Sequence, residues 1–201
     1  AEKKLRHVSP AFIEDPVRVL RVARFAARYH HLGFRLADET RLLMYQMVKN
    51  KELESLVPER VWQEWSRSLT EKNPEIFITT LRACAALKIV LPEIDALFGV
   101  PNRRDYHPEV DSGVHTLMVL SAAVELSSEP MVRFAAVMHD LGKAITPMAE
   151  WPKHHRHEER GIPIIEALCE RLRIPADYRK FAVMVSRFHL TIHRLFELNA
   201  K

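Results

Sequence analysis

The sequence predicts an all-α fold, and three features lead to this prediction. Only five of the 201 residues are glycine, and residue types that favour helices are abundant. Several segments repeat apolar residues at the three- to four-residue spacing of an amphipathic helix. No segment alternates polar and apolar residues as a half-buried strand does, and no Asn-Gly dipeptide marks a hairpin. We therefore expect helices joined by short loops.

The first half of the chain contains four predicted helices. Pro16 stands at a favourable position early in the first helix, and Gly33 ends that unit. Asn73, followed by Pro74 and Glu75, is a good N-cap signal for the fourth. The third, in "VPERVWQEWSRSL", places its apolar residues in one stripe. The four predicted helices cover about residues 15–29, 38–50, 57–69 and 73–89.

A loop-rich stretch divides the chain into two helical regions. Residues 98–113, "FGVPNRRDYHPEVDSG", gather Gly, Pro, Asn and Asp and lack helical periodicity. We therefore expect a boundary here, with one region over residues 1–98 and another over 99–201. The helices predicted beyond the boundary lie near residues 113–126, 130–142, 158–172 and 176–195.

Composition excludes a membrane span and favours a reducing compartment. No apolar run approaches the roughly 20 residues that cross a bilayer. Cys84 and Cys169 are far apart in apolar helical patterns, so we expect buried, reduced thiols and a cytoplasmic protein. The net charge of +4 permits an RNA partner without demonstrating one. Because the first residues contain no initiator methionine or signal segment, we expect a piece of a longer protein.

Four arginines form a stripe on the first predicted helix. At about 100° per residue they fall within an arc of roughly 120°, and apolar residues cover most of the remainder. Two interpretations stay open: a solvated face paired with a nearby carboxylate, or planar guanidinium groups presented to phosphates or base edges. Asp15 lies one turn before Arg18 and would place an acceptor beside these donors. The stripe consists of Arg18, Arg21, Arg24 and Arg28.

The stretch from Phe12, "FIEDPVRVLRVARFAAR", resembles the segment that follows the catalytic head in tRNA nucleotidyltransferases, the CCA-adding enzymes, and in bacterial poly(A) polymerases. The resemblance implies that an acid and an arginine of this motif hydrogen-bond the base of incoming CTP or ATP. Asp15 and Arg18 are the expected base readers, with Glu14 in the same motif. Arg21 is expected to support the fold or to contact the triphosphate.

The resemblance also implies tRNA as a partner and Mg as the metal of the transferase reaction. Nucleotidyl transfer needs carboxylates that hold two metal ions, in this family beside a Gly-Ser pair on a strand. No glycine in this sequence is followed by serine. We therefore expect the transferase site to lie outside this chain, which by itself should not add nucleotides.

A His-Asp pair closes the apolar run in "AAVMHDLGKAIT". Neighbouring helical side chains point about 100° apart, so His139 and Asp140 can face one ion only at a helix end or bend. Histidines from other predicted helices could join them in a bundle core. Imidazole with one carboxylate suits a first-row divalent ion such as Mn, Fe, Co, Ni or Zn. The expected ligands are His115, His139, Asp140, His157 and His189.

The remaining histidines carry no comparable signal. We expect each of them to be exposed or hydrogen-bonded within the fold. Lys143, one turn past His139, would instead meet a substrate phosphate near the ion, which activates water and polarises a phosphoryl oxygen. This expectation for the histidines concerns six of those remaining: His30, His31, His107, His154, His155 and His193.

The spacing "H…HD-x-GK…H-E-x-x-G" resembles the HD phosphohydrolase superfamily over about residues 107–195. CCA-adding enzymes of one bacterial branch carry such a domain after the polymerase part. The resemblance implies a neck and body region over 1–98 and an HD domain over 99–201, incomplete at its C-terminal end. It also implies a Ni-, Mn-, Co- or Mg-dependent phosphatase, 2'-nucleotidase and 2',3'-cyclic phosphodiesterase of nucleotide esters, with catalytic His139, Asp140 and Lys143.

One departure from the HD pattern leaves several interpretations open. HD domains often contribute a further acid from a late helix, but Leu190 follows His189 here and the next acid is Glu197. Asp177 begins the late helix and is a poor geometrical candidate. The acid could lie beyond Lys201, the site could bind metal with fewer ligands, or it could be inactive.

Two alternative functions follow from these observations. The chain could be a tRNA-binding helical module with a vestigial HD site, gripping an acceptor stem through shape and phosphate contacts. It could also be an independent nucleotide phosphohydrolase whose arginine helix is only structural.

Overall fold

The computed structural model describes residues 2–103, 109 and 111–193, without the side chain of His193. His107 and Glu197 lie outside the described residues. Helices dominate, as the sequence predicts. They are α1 (Val17–Tyr29), α2 (Asp38–Lys49), α3 (Pro58–Leu69), α4 (Glu75–Ala83), α5 (Leu87–Val90), α6 (Pro92–Asp95), α7 (Ser112–Leu126), α8 (Pro130–Met138), α9 (His157–Arg171) and α10 (Ala176–His193).

Helix α1 is the centre of the first half and packs against α3 and α4. Small apolar residues make this packing close, because Ala23 and Ala27 are fully buried beside Val19 and Leu20. A two-residue parallel strand pair lies at one end of α1. It joins β1 (Lys4–Leu5) to β2 (Arg35–Leu36). The sequence did not predict these strands, because neither segment shows an alternating pattern.

The fourth predicted helix is shorter than expected. It ends at Ala83 rather than continuing through Ile89, and Ala85 adopts a left-handed conformation with φ of 60°. The apolar pattern hides this break because Cys84 and Leu87 are buried on both sides of it. The N-cap expectation for Asn73 is also wrong, since no side chain caps the first turn of α4.

The second half is a bundle in which α8 is packed between α7 and α10, and α10 also packs against α9. The two halves share one continuous apolar core. An aromatic cluster crosses between them, because Trp62 of α3 meets Phe134 of α8 edge-on at 5.7 Å and Tyr178 of α10 at 5.1 Å. Arg133 adds a polar link by donating to the Leu69 carbonyl at the end of α3, at 2.7 Å.

A buried ion pair fixes α1 against α3. Arg24 Nε lies 2.6 Å from Glu64 Oε2, and both side chains are nearly excluded from solvent. Two ions leave water at a cost that their mutual attraction offsets only while both are present. The pair explains why one arginine of the stripe points into the protein.

Removing one partner of this pair should destabilise the chain strongly. We expect Glu64→Ala to lower the free energy of unfolding by about 3–5 kcal/mol, because Arg24 would stay buried without its hydrogen-bonded carboxylate and would keep only the Glu71 carboxylate, 4.0 Å away. Urea denaturation followed by circular dichroism measures the loss. Glu59→Ala is the matched control, since Glu59 pairs with Arg173 at the surface and should cost at most ~1 kcal/mol. Equal losses in both variants would contradict a stabilising role for the buried pair.

Two expectations from composition have direct outcomes. Cys84 and Cys169 are buried free thiols, as predicted. Burial raises the pKa of the Cys169 thiol to about 11. Among the described residues, no helix combines the length and the apolar character needed to cross a bilayer.

Candidate metal centre

The end of helix α8 brings two adjacent side chains to one point. The helix stops at Met138, His139 keeps helical angles, and Asp140 leaves them with φ of −110° and ψ of 10°. A 3-10 helix over Leu141–Ile145 follows. The predicted helix over 130–142 is therefore too long, but the expectation that this pair needs a helix end is met.

Three nitrogen atoms lie close to Asp140 Oδ2, and they come from α7, from the end of α8 and from the 3-10 turn that follows α8. Lys143 Nζ lies 2.7 Å away, His139 Nε2 3.2 Å and His115 Nε2 3.7 Å. The Asp140 side chain is almost completely buried. His115, from the first turns of α7, thus meets the pair at the end of α8 over the same carboxylate.

Asp140 Oδ1 faces two further imidazoles. His157 Nε2, at the start of α9, lies 3.1 Å away, and His189 Nε2 of α10 lies 3.5 Å away. These two ring nitrogens are 3.2 Å apart. The expected ligand residues thus form two groups that share Asp140, one with His115 and His139 and one with His157 and His189.

A hydrogen bond at Nδ1 fixes the orientation of each of these four rings. Each Nδ1 partner is an oxygen that can only accept, so each Nδ1 carries the proton. A neutral ring then presents the unprotonated Nε2 toward Asp140, as metal-ligating histidines do. The partners are Glu109 Oε1 for His115 at 2.7 Å, the Ala136 carbonyl for His139 at 2.8 Å, the His154 carbonyl for His157 at 2.8 Å and the Ser186 carbonyl for His189 at 2.7 Å.

This donor set fits a divalent cation. Asp140 Oδ1 is buried without a hydrogen-bond partner among the described residues, although two imidazole Nε2 atoms stand within 3.5 Å of it. Lone pairs facing one another at this range repel unless a cation lies between them. Ligands at about 2.0–2.2 Å from one ion are at most ~4.4 Å apart, which the distances around Oδ1 satisfy.

Burial and neighbouring charge act in opposite directions on these groups. Burial alone would raise the pKa of Asp140, but without a bound ion the charge of a protonated His139, hydrogen bonds donated by His139 and His157, and the Lys143 ammonium outweigh burial and hold that pKa well below its usual range. Asp140 in turn raises the pKa of His139 despite burial. Burial lowers the pKa of His189 to about 4. Asp140 is therefore charged and His189 neutral at pH 7, the states in which both bind a cation.

Two glycines allow the turn after Asp140 to lie against helix α9. A Cβ added to Gly142 would collide with the backbone carbonyl of His157 and come within 2.6 Å of the Gly161 nitrogen. A Cβ on Gly161 would meet the Gly142 nitrogen at 3.1 Å. The glycines of the "HD-x-GK" and "H-E-x-x-G" stretches therefore permit the close approach that carries His157 to Asp140.

The cluster lies in a cleft of about 1530 Å³. Polar and charged side chains line part of the cleft, among them Asn102, Lys143 and Lys153. Apolar side chains from α7, α8 and α10 also line it: Met118, Val119, Val132, Phe181 and Val185. Such a cleft suits a ligand with one anionic end and one apolar or aromatic end.

The motif residues ahead of α1 have partners that the sequence did not reveal. Asp15 accepts two hydrogen bonds from the Arg60 guanidinium, at 2.9 and 3.2 Å. The hydrogen bond from Arg60 holds the pKa of Asp15 below its usual value. Arg18 donates to the Ala11 carbonyl rather than to Asp15. The expected pair of base readers is therefore near one surface but engaged with other groups.

The rest of the arginine stripe is divided between surface and interior. Arg21, Arg28 and the motif acid Glu14 are exposed, whereas Arg24 is buried against Glu64. A wholly solvated stripe is therefore a wrong interpretation for Arg24, because the helix turns that position toward α3.

Two family models match consecutive parts of the chain. The model described as "Probable RNA and SrmB-binding site of polymerase A" matches residues 33–98. The HD domain model matches residues 113–195, which include all five residues of the cluster.

Relatives of high identity extend over almost the whole chain. The multifunctional CCA protein of Legionella pneumophila strain Paris is 69% identical over 98% of this chain. Over nearly its whole length the chain is homologous to the multifunctional CCA proteins. The proteins of that name from Teredinibacter turnerae and Vibrio cholerae O395 are 59% and 58% identical over 99% and 98% of this chain. The chain spans about half the length of these relatives, 48–49% of each.

A solved structure shares the fold of this chain. The "Structure of tRNA-processing enzyme complex 3" aligns over 98% of this chain and 47% of that chain, with a TM-score of 0.54 and 23% identity. At this identity the match concerns the fold alone.

Four residues at these sites carried no usable sequence signal. Glu109 and Asn102 lie in the segment between the halves, where no periodicity assigns a direction to a side chain. Arg60 reaches Asp15 only because α3 packs beside the start of α1. His154 lacks motif spacing, yet it is buried in the cleft, where its Nε2 donates to the Pro101 carbonyl at 2.7 Å.

Proposed function

We propose that the Asp140 cluster binds a divalent metal ion and hydrolyses phosphate esters of nucleotides. The observation that supports this is the convergence of four imidazole Nε2 atoms on one buried carboxylate. Ni, Mn, Co and Mg are the candidate ions, and any of them would supply a Lewis acid that polarises a phosphoryl oxygen and activates water. His115, His139, Asp140, His157 and His189 would hold the ion.

The other groups of the cleft have separate roles in this proposal. Lys143, held against Asp140, would donate a hydrogen bond to a phosphoryl oxygen and balance its charge. The apolar side chains from α7, α8 and α10 would cover a nucleobase. Phosphomonoesterase, 2'-nucleotidase and 2',3'-cyclic phosphodiesterase activities all act on ligands that combine an anionic phosphoryl group with an apolar, aromatic base, and such ligands fit this cleft.

We also propose that residues 1–98 act as the nucleotide-selecting neck and body of a CCA-adding enzyme, with residues 99–201 as its HD domain. In the whole protein, CTP and ATP would be the nucleotides, tRNA the partner and Mg the transferase metal. Glu14, Asp15, Arg18 and Arg21 would face the nucleotide. Arg60 would release Asp15 toward a base edge or orient it.

Hydrolysis of a 2'-nucleotide tests the phosphoesterase proposal. We expect the protein loaded with Ni or Mn to hydrolyse 2'-AMP and 2',3'-cyclic AMP, and His139→Ala to lower the rate by more than ~100-fold, the upper range for loss of an outer-shell partner of a metal. His155→Ala is the matched control, because His155 is an exposed histidine in the turn ahead of α9. The proposal would be rejected if hydrolysis persisted both in the wild-type protein after chelation and in the His139→Ala variant.

A tRNA-binding module with a vestigial HD site is the second candidate. The RNA-binding family match over residues 33–98 favours it. In that case the protein purified without chelator would contain no stoichiometric metal, and salt-sensitive tRNA binding would persist in His139→Ala.

A further inference from the structure

Asn102 stands out among the groups of the cleft because its side chain amide has a fixed orientation. The side chain is 3% exposed, and Oδ1 accepts hydrogen bonds from Lys143 Nζ at 3.1 Å and from Ser112 Oγ at 2.9 Å. An ammonium group only donates, so the amide oxygen must be the atom that faces Lys143. The amide nitrogen Nδ2 therefore occupies the other side.

Asn102 Nδ2 is buried without a hydrogen-bond partner among the residues that the structure describes. Buried amide donors are nearly always satisfied, because an unpaired donor opposes folding. Asn102 also lines the cleft that contains Asp140. A ligand oxygen that enters this end of the cleft would satisfy the donor.

The Lys143 ammonium, next to Asn102, has one more hydrogen than the acceptors described around it. Its ammonium has three hydrogens, and the described acceptors are Asp140 Oδ2 at 2.7 Å and Asn102 Oδ1 at 3.1 Å. Asn102 Oδ1 therefore shares the ammonium with the Asp140 carboxylate and helps to fix its position. Lysine binds phosphate as a point charge, so its position relative to the phosphoryl group matters more than a planar geometry.

The backbone around Asn102 is held on both sides. The Pro101 carbonyl accepts a hydrogen bond from His154 Nε2 at 2.7 Å, and the Val100 carbonyl accepts one from the Ser112 nitrogen at 2.9 Å. A donor on such a fixed segment is already in place before a ligand binds, which lowers the entropy cost of binding.

We propose that Asn102 and Lys143 form a two-donor subsite for the phosphoryl group of a nucleotide ester. Asn102 binds one phosphoryl oxygen through Nδ2 and positions the Lys143 ammonium through Oδ1. This subsite rests on the proposed phosphoesterase function and names the group that orients its substrate. It assigns substrate positioning to a residue outside the metal cluster.

Asn102→Asp tests the subsite because it keeps the shape and the acceptor for Lys143 and Ser112, while an oxygen replaces the amide donor. For the Ni-loaded protein we expect KM for 2'-AMP and the inhibition constant of inorganic phosphate to rise by at least about tenfold, as for a lost hydrogen bond to a charged group. Metal content should stay unchanged. His155→Ala, at an exposed histidine that does not line the cleft, should change KM less than about twofold.

A second measurement avoids any dependence on the fold of a variant. In the zinc-loaded wild-type protein, inorganic phosphate should shift the side chain amide NMR signal of Asn102, assigned by its contacts to Ser112. An unmoved signal, or an Asn102→Asp variant with unchanged KM and phosphate inhibition, would overturn the subsite. Lack of metal-dependent hydrolysis by the wild-type protein would reject the phosphoesterase function instead, and the phosphate titration would still decide the subsite.

Discussion

Replacing Asp140 by asparagine is expected to remove nearly all bound divalent metal and to abolish 2'-nucleotide hydrolysis. Asp140 is the one residue that both candidate ligand groups share, since His139 contacts Oδ2 and His157 contacts Oδ1. Asparagine keeps the size of the side chain but removes its charge. The loss of metal affinity should exceed the ~10–100-fold cost of losing an outer-shell partner.

Metal analysis after dialysis measures this effect, and titration with Mn gives the change in affinity. Asp177→Asn is the control, because Asp177 is exposed on the first turn of α10. Circular dichroism must accompany the measurement, since Lys143 would lose its buried counter-charge and the variant should melt at a lower temperature. A folded Asp140→Asn protein with wild-type metal content would contradict the assignment of Asp140 as the central ligand.

Replacing Gly142 by alanine is expected to disrupt both stability and metal binding. The added Cβ would collide with the His157 carbonyl and approach the Gly161 nitrogen to 2.6 Å, and both are backbone atoms that cannot rotate away. Helix α9 would have to move outward, together with His157. We expect the free energy of unfolding to fall by about 3 kcal/mol, the upper end of the usual range for overpacking.

Gly161→Ala provides a graded comparison on the opposite side of the same contact. Its Cβ would lie 3.1 Å from the Gly142 nitrogen and from Ser186 Oγ, so smaller shifts relieve it. Thermal melting and Mn titration of both variants should therefore rank Gly142→Ala as the more damaging change. Equal stability of Gly142→Ala and the wild-type protein would show that α9 does not depend on this close approach.

The parts of the site that the sequence predicted have a common cause. Each of the five ligand candidates stands within or next to a predicted helix, so its place on an element follows from the local sequence pattern. The adjacency of His139 and Asp140 required a helix end, and α8 ends one residue before them. Local rules placed these residues on helices, whereas their convergence on Asp140 depends on the packing of α7, α8, α9 and α10.

The parts that the sequence did not predict depend on packing between distant segments. Asn102 acquires its role only when residues near 100 fold beside Lys143, and Arg60 only when α3 lies beside Asp15. The burial of Arg24 likewise needs Glu64 from α3. Ala85 breaks the fourth predicted helix through its positive φ, and the apolar pattern on both sides conceals the break.

Anomalous diffraction from crystals grown with Mn tests the central claim most directly. The account predicts one or two peaks beside the Asp140 carboxylate, with ligand atoms at about 2.0–2.3 Å and at least two imidazole Nε2 atoms in contact with each ion. The claim would be contradicted if crystals grown with excess Mn showed no peak between Asp140 and the four histidines, or showed ions only at surface carboxylates.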